Sequence, residues 1–143
     1  RYEYCQKIAE RYKNQKVKVY LNGKVSDWNS FNDALIKAPD VDGVMISTAA
    51  VQKPWIFAQL KQLALEPVNM EELSLQYIED IEQFQPPEFW KTRLQRFFTY
   101  FSKNFKFSHY AKTQFLNAQN NEDLRKRISD FFYKCPDERI KKL

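Results

Sequence analysis

Between Lys16 and Phe57 the spacing of apolar residues changes period repeatedly, and this alternation limits the fold more than any other feature of the chain. The run KVKVYL, residues 16–21, alternates with the two-residue period of a strand. Asn22-Gly23 breaks it. Ser26 stands where a cap is expected for a helix over about residues 27–37, whose Trp28, Phe31 and Leu35 form an apolar stripe. Pro39 and Asp40 end that helix. Val41 to Ile46 read as a second strand, too apolar to have a wet face. Pro54 suits the first turn of another helix, where its missing N–H is not needed. Strand, helix, strand, helix with short connections predicts parallel neighbours, with ligand sites beyond the strands' carboxyl ends. The second strand ends on Ser47-Thr48-Ala49-Ala50, small residues that leave room above it.

After Pro67 the helical period takes over. Asn69 followed by Glu72 resembles a capping box, and Leu73, Tyr77, Ile78, Ile81 and Phe84 mark the helix that follows. Pro86-Pro87 separates it from a helix over about residues 89–105, with Trp90, Leu94, Phe97, Phe98, Phe101 and Phe105 on one face. Two more helices are expected, around 108–117 and 122–133, and no strand is expected after residue 67. The pattern divides the chain into an α/β part, residues 1–66, and an all-helical part, residues 67–143. The chain opens at Arg1 within a helical pattern (Tyr4, Ile8, Ala9, Tyr12), which suggests a piece of a longer protein.

Charge separates the same chain differently. Residues 1–90 carry 10 Lys+Arg against 13 Asp+Glu, a net of −3, whereas residues 91–143 carry 13 against 5, a net of +8. Such asymmetry points to a polyanion partner for the second half, most simply nucleic acid. On the helix after Pro87, Arg93, Arg96 and Lys103 fall on one flank with Tyr100 among them, and Lys91 borders the apolar stripe. Lys106, His109 and Lys112 extend the basic surface, and Arg125, Lys126 and Arg127 add a cluster. Lys91, Arg93, Arg96, Lys103, His109 and Lys112 are therefore the candidate RNA-binding residues. The Phe residues read as core rather than as base-stacking platforms.

Other chemistries are poorly served. The single histidine argues against a histidine-based metal centre, and no metal site is expected. Cys5 and Cys135 lie far apart without CxxC spacing, which suits a reducing, cytoplasmic compartment and no disulfide framework. No apolar run has the length of a membrane helix, so no membrane partner is expected.

The segments VYLNGKVSDWNSF and VDGVMISTAAVQKPWIF together resemble the last two barrel units of the tRNA-dihydrouridine synthases. That family reads Asn-Gly-Asp after its seventh strand. After its eighth it reads Asp-Gly-hydrophobic-Met-Ile-Gly-Arg-Gly, followed by Pro-Trp-hydrophobic-Phe. Asn22-Gly23, Asp42-Gly43, Met45-Ile46 and Pro54-Trp55-Ile56-Phe57 match. The resemblance implies the last two βα units of a TIM barrel followed by a C-terminal helical bundle. It implies FMN as cofactor, NADPH as reductant and tRNA as partner, with uridine reduced to dihydrouridine. Asn22, Gly23, Ser47, Thr48 and Ala49 are then the candidate residues for the FMN phosphate site.

Two departures carry weight. Ser47-Thr48-Ala49 stand where the family has Gly-Arg-Gly, and Lys24 replaces an Asp. In the family a cysteine acid protonates uridine C5 while C6 receives a hydride, but that cysteine belongs to a middle-barrel loop ahead of this chain. Neither Cys5 nor Cys135 takes its place, and because two of eight barrel units cannot close a barrel this piece alone is expected to be inactive. Two readings stand beside the flavoenzyme: a non-catalytic RNA-binding relative with a degenerate flavin site, and another phosphate-binding barrel protein.

Overall fold

Asp42 sets the register of the first two strands. In the computed structural model, which describes residues 1–143, its carboxylate accepts from the Val19 backbone N–H at 2.8 Å and from Lys18 Nζ at 2.9 Å. Its own N–H donates to the Val19 carbonyl at 2.8 Å. The Val19 hydrogen bond, and then the Lys18 ammonium, hold the Asp42 carboxyl below its ordinary range. From that clamp β1 (Tyr20–Asn22) and β2 (Gly43–Met45) run parallel, pairing Tyr20 with Gly43, Leu21 with Val44 and Asn22 with Met45. Both strands are shorter than the alternation predicts, because pairing begins only past the clamp.

Around this pair pack α1 (Tyr2–Tyr12) and α2 (Trp28–Lys37). Asp27 caps α2 in place of the expected Ser26: its carboxylate accepts from the Ser30 N–H at 2.8 Å, and Ser30 Oγ accepts from the Asp27 N–H. The reciprocal box needs a side-chain acceptor three residues after the cap, and Ser30 Oγ supplies it for Asp27. The core is Leu21, Val25 and Ala34, with Tyr2, Cys5, Phe31, Val44 and Leu60 among the side chains packed on it. Leu21 is fully enclosed, and truncating such a residue to Ala costs about 2–5 kcal/mol.

The chain past β2 does not run open to Pro54. It winds at once into α3 (Thr48–Gln52), turns through Lys53-Pro54-Trp55, and resumes as α4 (Ile56–Leu60). Pro54 therefore precedes the second helix instead of lying in its first turn. Residues 47–52 contain no glycine and carry helix-compatible side chains, which accounts for α3.

The chain divides into two units, Arg1–Ala64 and Leu65–Leu143. In the second, Asn69 caps α5 (Met70–Phe84) by accepting from the Glu72 N–H at 3.1 Å. Pro87 opens α6 (Pro87–Phe101), which passes into a 3-10 turn at Ser102–Asn104, so Phe105 lies outside the helix. α7 (Ser108–Leu116) and α8 (Asn121–Lys134), capped by Asn120, complete the bundle. Phe98, Phe105, Phe115, Phe131 and Phe132 meet at its centre in mostly edge-to-face pairs 5.1–6.4 Å apart. Contrary to the strand-free expectation, β3 (Val68–Asn69) and β4 (Ile140–Lys141) pair antiparallel. Arg139 beside them donates to Glu71 at 2.7 Å. Strands of two residues are too short to show an alternation.

Candidate functional site

Two places concentrate the chemistry-bearing residues, one in each unit. The first is an open cleft of about 470 Å³ at the carboxyl ends of β1 and β2. Asn22, Lys24 and Ser26 line it from the β1–α2 connection, and Ser47, Thr48 and Gln52 from the start and end of α3. The remaining lining is apolar, Ala49 included, and contains no carboxylate. The structure thus brings Asn22, Ser47, Thr48 and Ala49 together. Gly23 lies elsewhere: it is buried, and a Cβ on it would sit 3.0 Å from Arg1 Cδ and 3.5 Å from the Tyr2 ring. Its φ is not left-handed. The space it leaves is taken up by α1's end of the unit.

Lys24 is the only cation in the lining, and it holds φ +37°, a left-handed conformation uncommon for a side chain of its size. No acidic partner neutralises it. Lys53, which follows α3 and lies outside the lining, is committed: Nζ donates to the Ser26 carbonyl at 2.7 Å, tying α3's end to the β1–α2 loop. The presence of Lys24 after Asn-Gly was visible in the sequence; the turn that directs it to the cleft was not. Cys5 packs on the core of the first unit and Cys135 follows α8 in the second, and neither contributes to this lining. No group of three His, Cys, Asp or Glu is placed to hold a metal ion.

The second place is the outer face of α6. Division at Ala64 redistributes the charge: residues 1–64 carry 10 Lys+Arg against 6 Asp+Glu, and residues 65–143 carry 13 against 12. The helical unit is nearly neutral and strongly polarised, since α5 holds Glu71, Glu72, Glu79, Asp80 and Glu82 with no Lys or Arg. Part of the basic sequence is spent on that acid. Arg125 grips Glu82 through both terminal guanidinium nitrogens, Nη2 at 2.5 Å and Nη1 at 3.2 Å, while Asn121 donates to the same carboxylate at 2.6 Å. The Arg125 hydrogen bonds hold Glu82 below its ordinary range. Arg127 pairs with Asp123 at 2.9 Å, and Arg139 with Glu71. The cluster expected at Arg125 and Arg127 is therefore internal scaffolding.

Arg93 and Arg96 have no such partner. With Phe89 and Thr92 they line a shallow hollow of about 170 Å³ on α6. Lys103 reaches over the Tyr100 ring, 5.2 Å from its centroid, on the same flank. Arg93 also acts on the Tyr77 phenol, whose pKa burial raises and this guanidinium lowers. Lys91 is separate: it lines a small crevice with Leu94, Phe98 and Asn121, away from Arg93. His109 and Lys112 are exposed one turn apart on α7. Phe89 is absent from the candidates read from sequence, although plotting α6 at 100° per residue places it beside Arg93 and Arg96.

The family model described as dihydrouridine synthase (Dus) matches residues 1–138. The chain belongs to the dihydrouridine synthase family. The match runs through both units, so the helical unit is as much a part of the dihydrouridine synthase pattern as the strand pair. A "Probable tRNA-dihydrouridine synthase" of Aquifex aeolicus (strain VF5) is 25% identical over 127 residues, 87% of this chain and 40% of that protein. A Malassezia globosa protein named tRNA-dihydrouridine(47) synthase, with NAD(P)(+) in its name, is 48% identical over 46 residues, 32% of this chain and 6% of that one. The chain thus spans well under half the length of either dihydrouridine synthase.

Proposed function

We propose that this chain is the C-terminal part of a tRNA-dihydrouridine synthase. In this reading β1 and β2 are the last two strands of a TIM barrel, the cleft above them takes the phosphate end of FMN, and the helical unit holds tRNA. The observation that carries it is the cleft itself, formed where such barrels place phosphate. Its lining suits the group: the Lys24 ammonium, the Asn22 amide and the Ser47 and Thr48 hydroxyls are donors without a competing carboxylate. Lys24 takes over part of the charge that the family's Arg supplies, as a point charge in place of a bidentate fork.

Two further features favour more barrel beyond this pair. Tyr20 and Met45 are 61% and 52% exposed on strands that have a hydrogen-bonded neighbour on one edge only. The Trp55 indole N–H, on a residue 8% exposed, is buried without an acceptor. Adjacent barrel segments would cover the first and accept from the second.

When bound, the flavin supplies a hydride for pyrimidine reduction, with a reduced nicotinamide (NADPH in our reading) as its source. This chain's residues bind and orient: the cleft fixes the phosphate end, and the free cations of α6 hold the RNA backbone. The proton donor lies on another part of the protein.

Titrating the complete protein with FMN and with riboflavin, followed by flavin fluorescence, tests the cleft. FMN should bind more tightly than riboflavin, and Lys24→Met should erase much of that difference while leaving riboflavin unchanged. Absence of flavin binding, with RNA binding retained, would overturn the flavoenzyme reading and favour the non-catalytic RNA-binding relative, which the lost Gly-Arg-Gly makes the second reading.

A further inference from the structure

We infer that Phe89 is a stacking platform for an unpaired RNA base whose flanking phosphates are held by Arg93 and Arg96. The inference rests on the reading of the helical unit as RNA-binding and adds what part of the RNA this surface takes. Phe89 lies in the first turn of α6 and leaves 48% of its surface in water, as Phe84 and Phe107 also stay exposed while seven other Phe rings of the unit are buried in the bundle core. A lone exposed ring is ordinary on a protein surface. This one is not alone. It shares a hollow with two guanidinium groups that have no carboxylate partner, while Arg125, Arg127 and Arg139 of the same unit are all paired.

The flank continues along the helix. Phe89, Arg93, Arg96 and Tyr100 fall within an arc of about 60° at 100° per residue, and Lys103 follows in the 3-10 turn with its ammonium over the Tyr100 ring. The four on the helix cover roughly 17 Å at 1.5 Å per residue. The sole acid of α6, Glu88, lies about 140° away from Arg93 around the axis. Aromatic and cationic side chains are thus interspersed along one strip of α6 that its only acid does not reach. A base inside a duplex has no ring face to offer, whereas bases in loops and bulges can be splayed out and stacked on aromatic side chains. Guanidinium groups one turn apart provide the charge that such a backbone needs. An acidic peptide would satisfy the two arginines and leave the ring unexplained.

The test compares the complete protein with its Phe89→Ala, Phe89→Trp and Phe89→Leu variants in binding a folded tRNA and a blunt RNA duplex, over a range of salt. Thermal melts verify that each variant folds. Phe89→Ala should weaken tRNA binding roughly tenfold to a hundredfold at every salt concentration, since stacking is not a counterion effect. Its salt slope should match the wild type, Phe89→Trp should retain affinity, and duplex binding should not change. Equal tRNA affinity for wild type and Phe89→Ala, an equal loss on the duplex, or full rescue by Phe89→Leu would each overturn the stacking role. A wild-type protein that binds neither RNA would overturn the RNA-binding reading itself, a result distinguishable from all of these.

Discussion

Replacing Arg93 and Arg96 together by Ala should change how RNA affinity responds to salt, and the size of the change can be worked out beforehand. Both guanidinium groups are exposed and unpaired, so each is free to neutralise one phosphate. Each neutralised phosphate contributes about 0.7 to the slope of log affinity against log salt for single strands and about 0.9 for a duplex. The double variant should therefore flatten the slope by about 1.4 to 1.8. Allowing about 1 kcal/mol for each exposed charged contact, affinity should fall roughly thirtyfold at low salt. Filter binding or fluorescence anisotropy with tRNA at several salt concentrations gives both quantities. Arg125→Ala with Arg127→Ala is the matched control. Those side chains already face Glu82 and Asp123, so their loss should lower thermal stability and leave the slope nearly unchanged. An unaltered slope in the first variant, or equal flattening in the control, would refute the division into free and committed cations.

Thr48→Arg in the complete protein should strengthen FMN binding by about tenfold or more, because it adds a charge-assisted contact of roughly 1.5–3 kcal/mol beside Lys24. Unchanged FMN affinity would place the phosphate elsewhere. The Glu82–Arg125 pair predicts an acid-sensitive bundle. The Glu82 carboxyl is held below its ordinary value of 4.5, chiefly by Arg125, so its stabilisation is complete above that value and is lost as pH falls through the depressed one. Glu82→Gln should melt below wild type at neutral pH and converge with it well under pH 4.5. A melting difference that does not vary with pH would remove Glu82 from the account.

Helices with a long apolar period were readable from sequence, and α5, α6 and α8 lie where Ile78, Phe98 and Phe132 point inward together. Shorter features depended on partners that no local pattern reveals. β3 meets β4 across about seventy residues of chain, and each is only two residues long. α3 was hidden because the family resemblance puts an open, glycine-containing turn at residues 47–49, where Ser, Thr and Ala support a helix. The basic surface was overcounted for the same reason: Arg125 finds Glu82 on a helix 43 positions earlier, so charge alone could not tell a committed arginine from a free one. At the cleft, Asn22, Ser47, Thr48 and Ala49 were nameable from motif. The turning of Gly23 toward Arg1, and of Lys24 to the cleft, depends on backbone angles that spacing does not encode.

The most direct measurement of the central claim is mass analysis of a uridine-containing tRNA transcript after incubation with the complete protein, FMN and a reduced nicotinamide. The account predicts a gain equal to the mass of two hydrogens, confined to defined uridines, and reduced when Lys24 or the Arg93–Arg96 pair is replaced. A transcript that binds tightly yet emerges with its mass unchanged would contradict it.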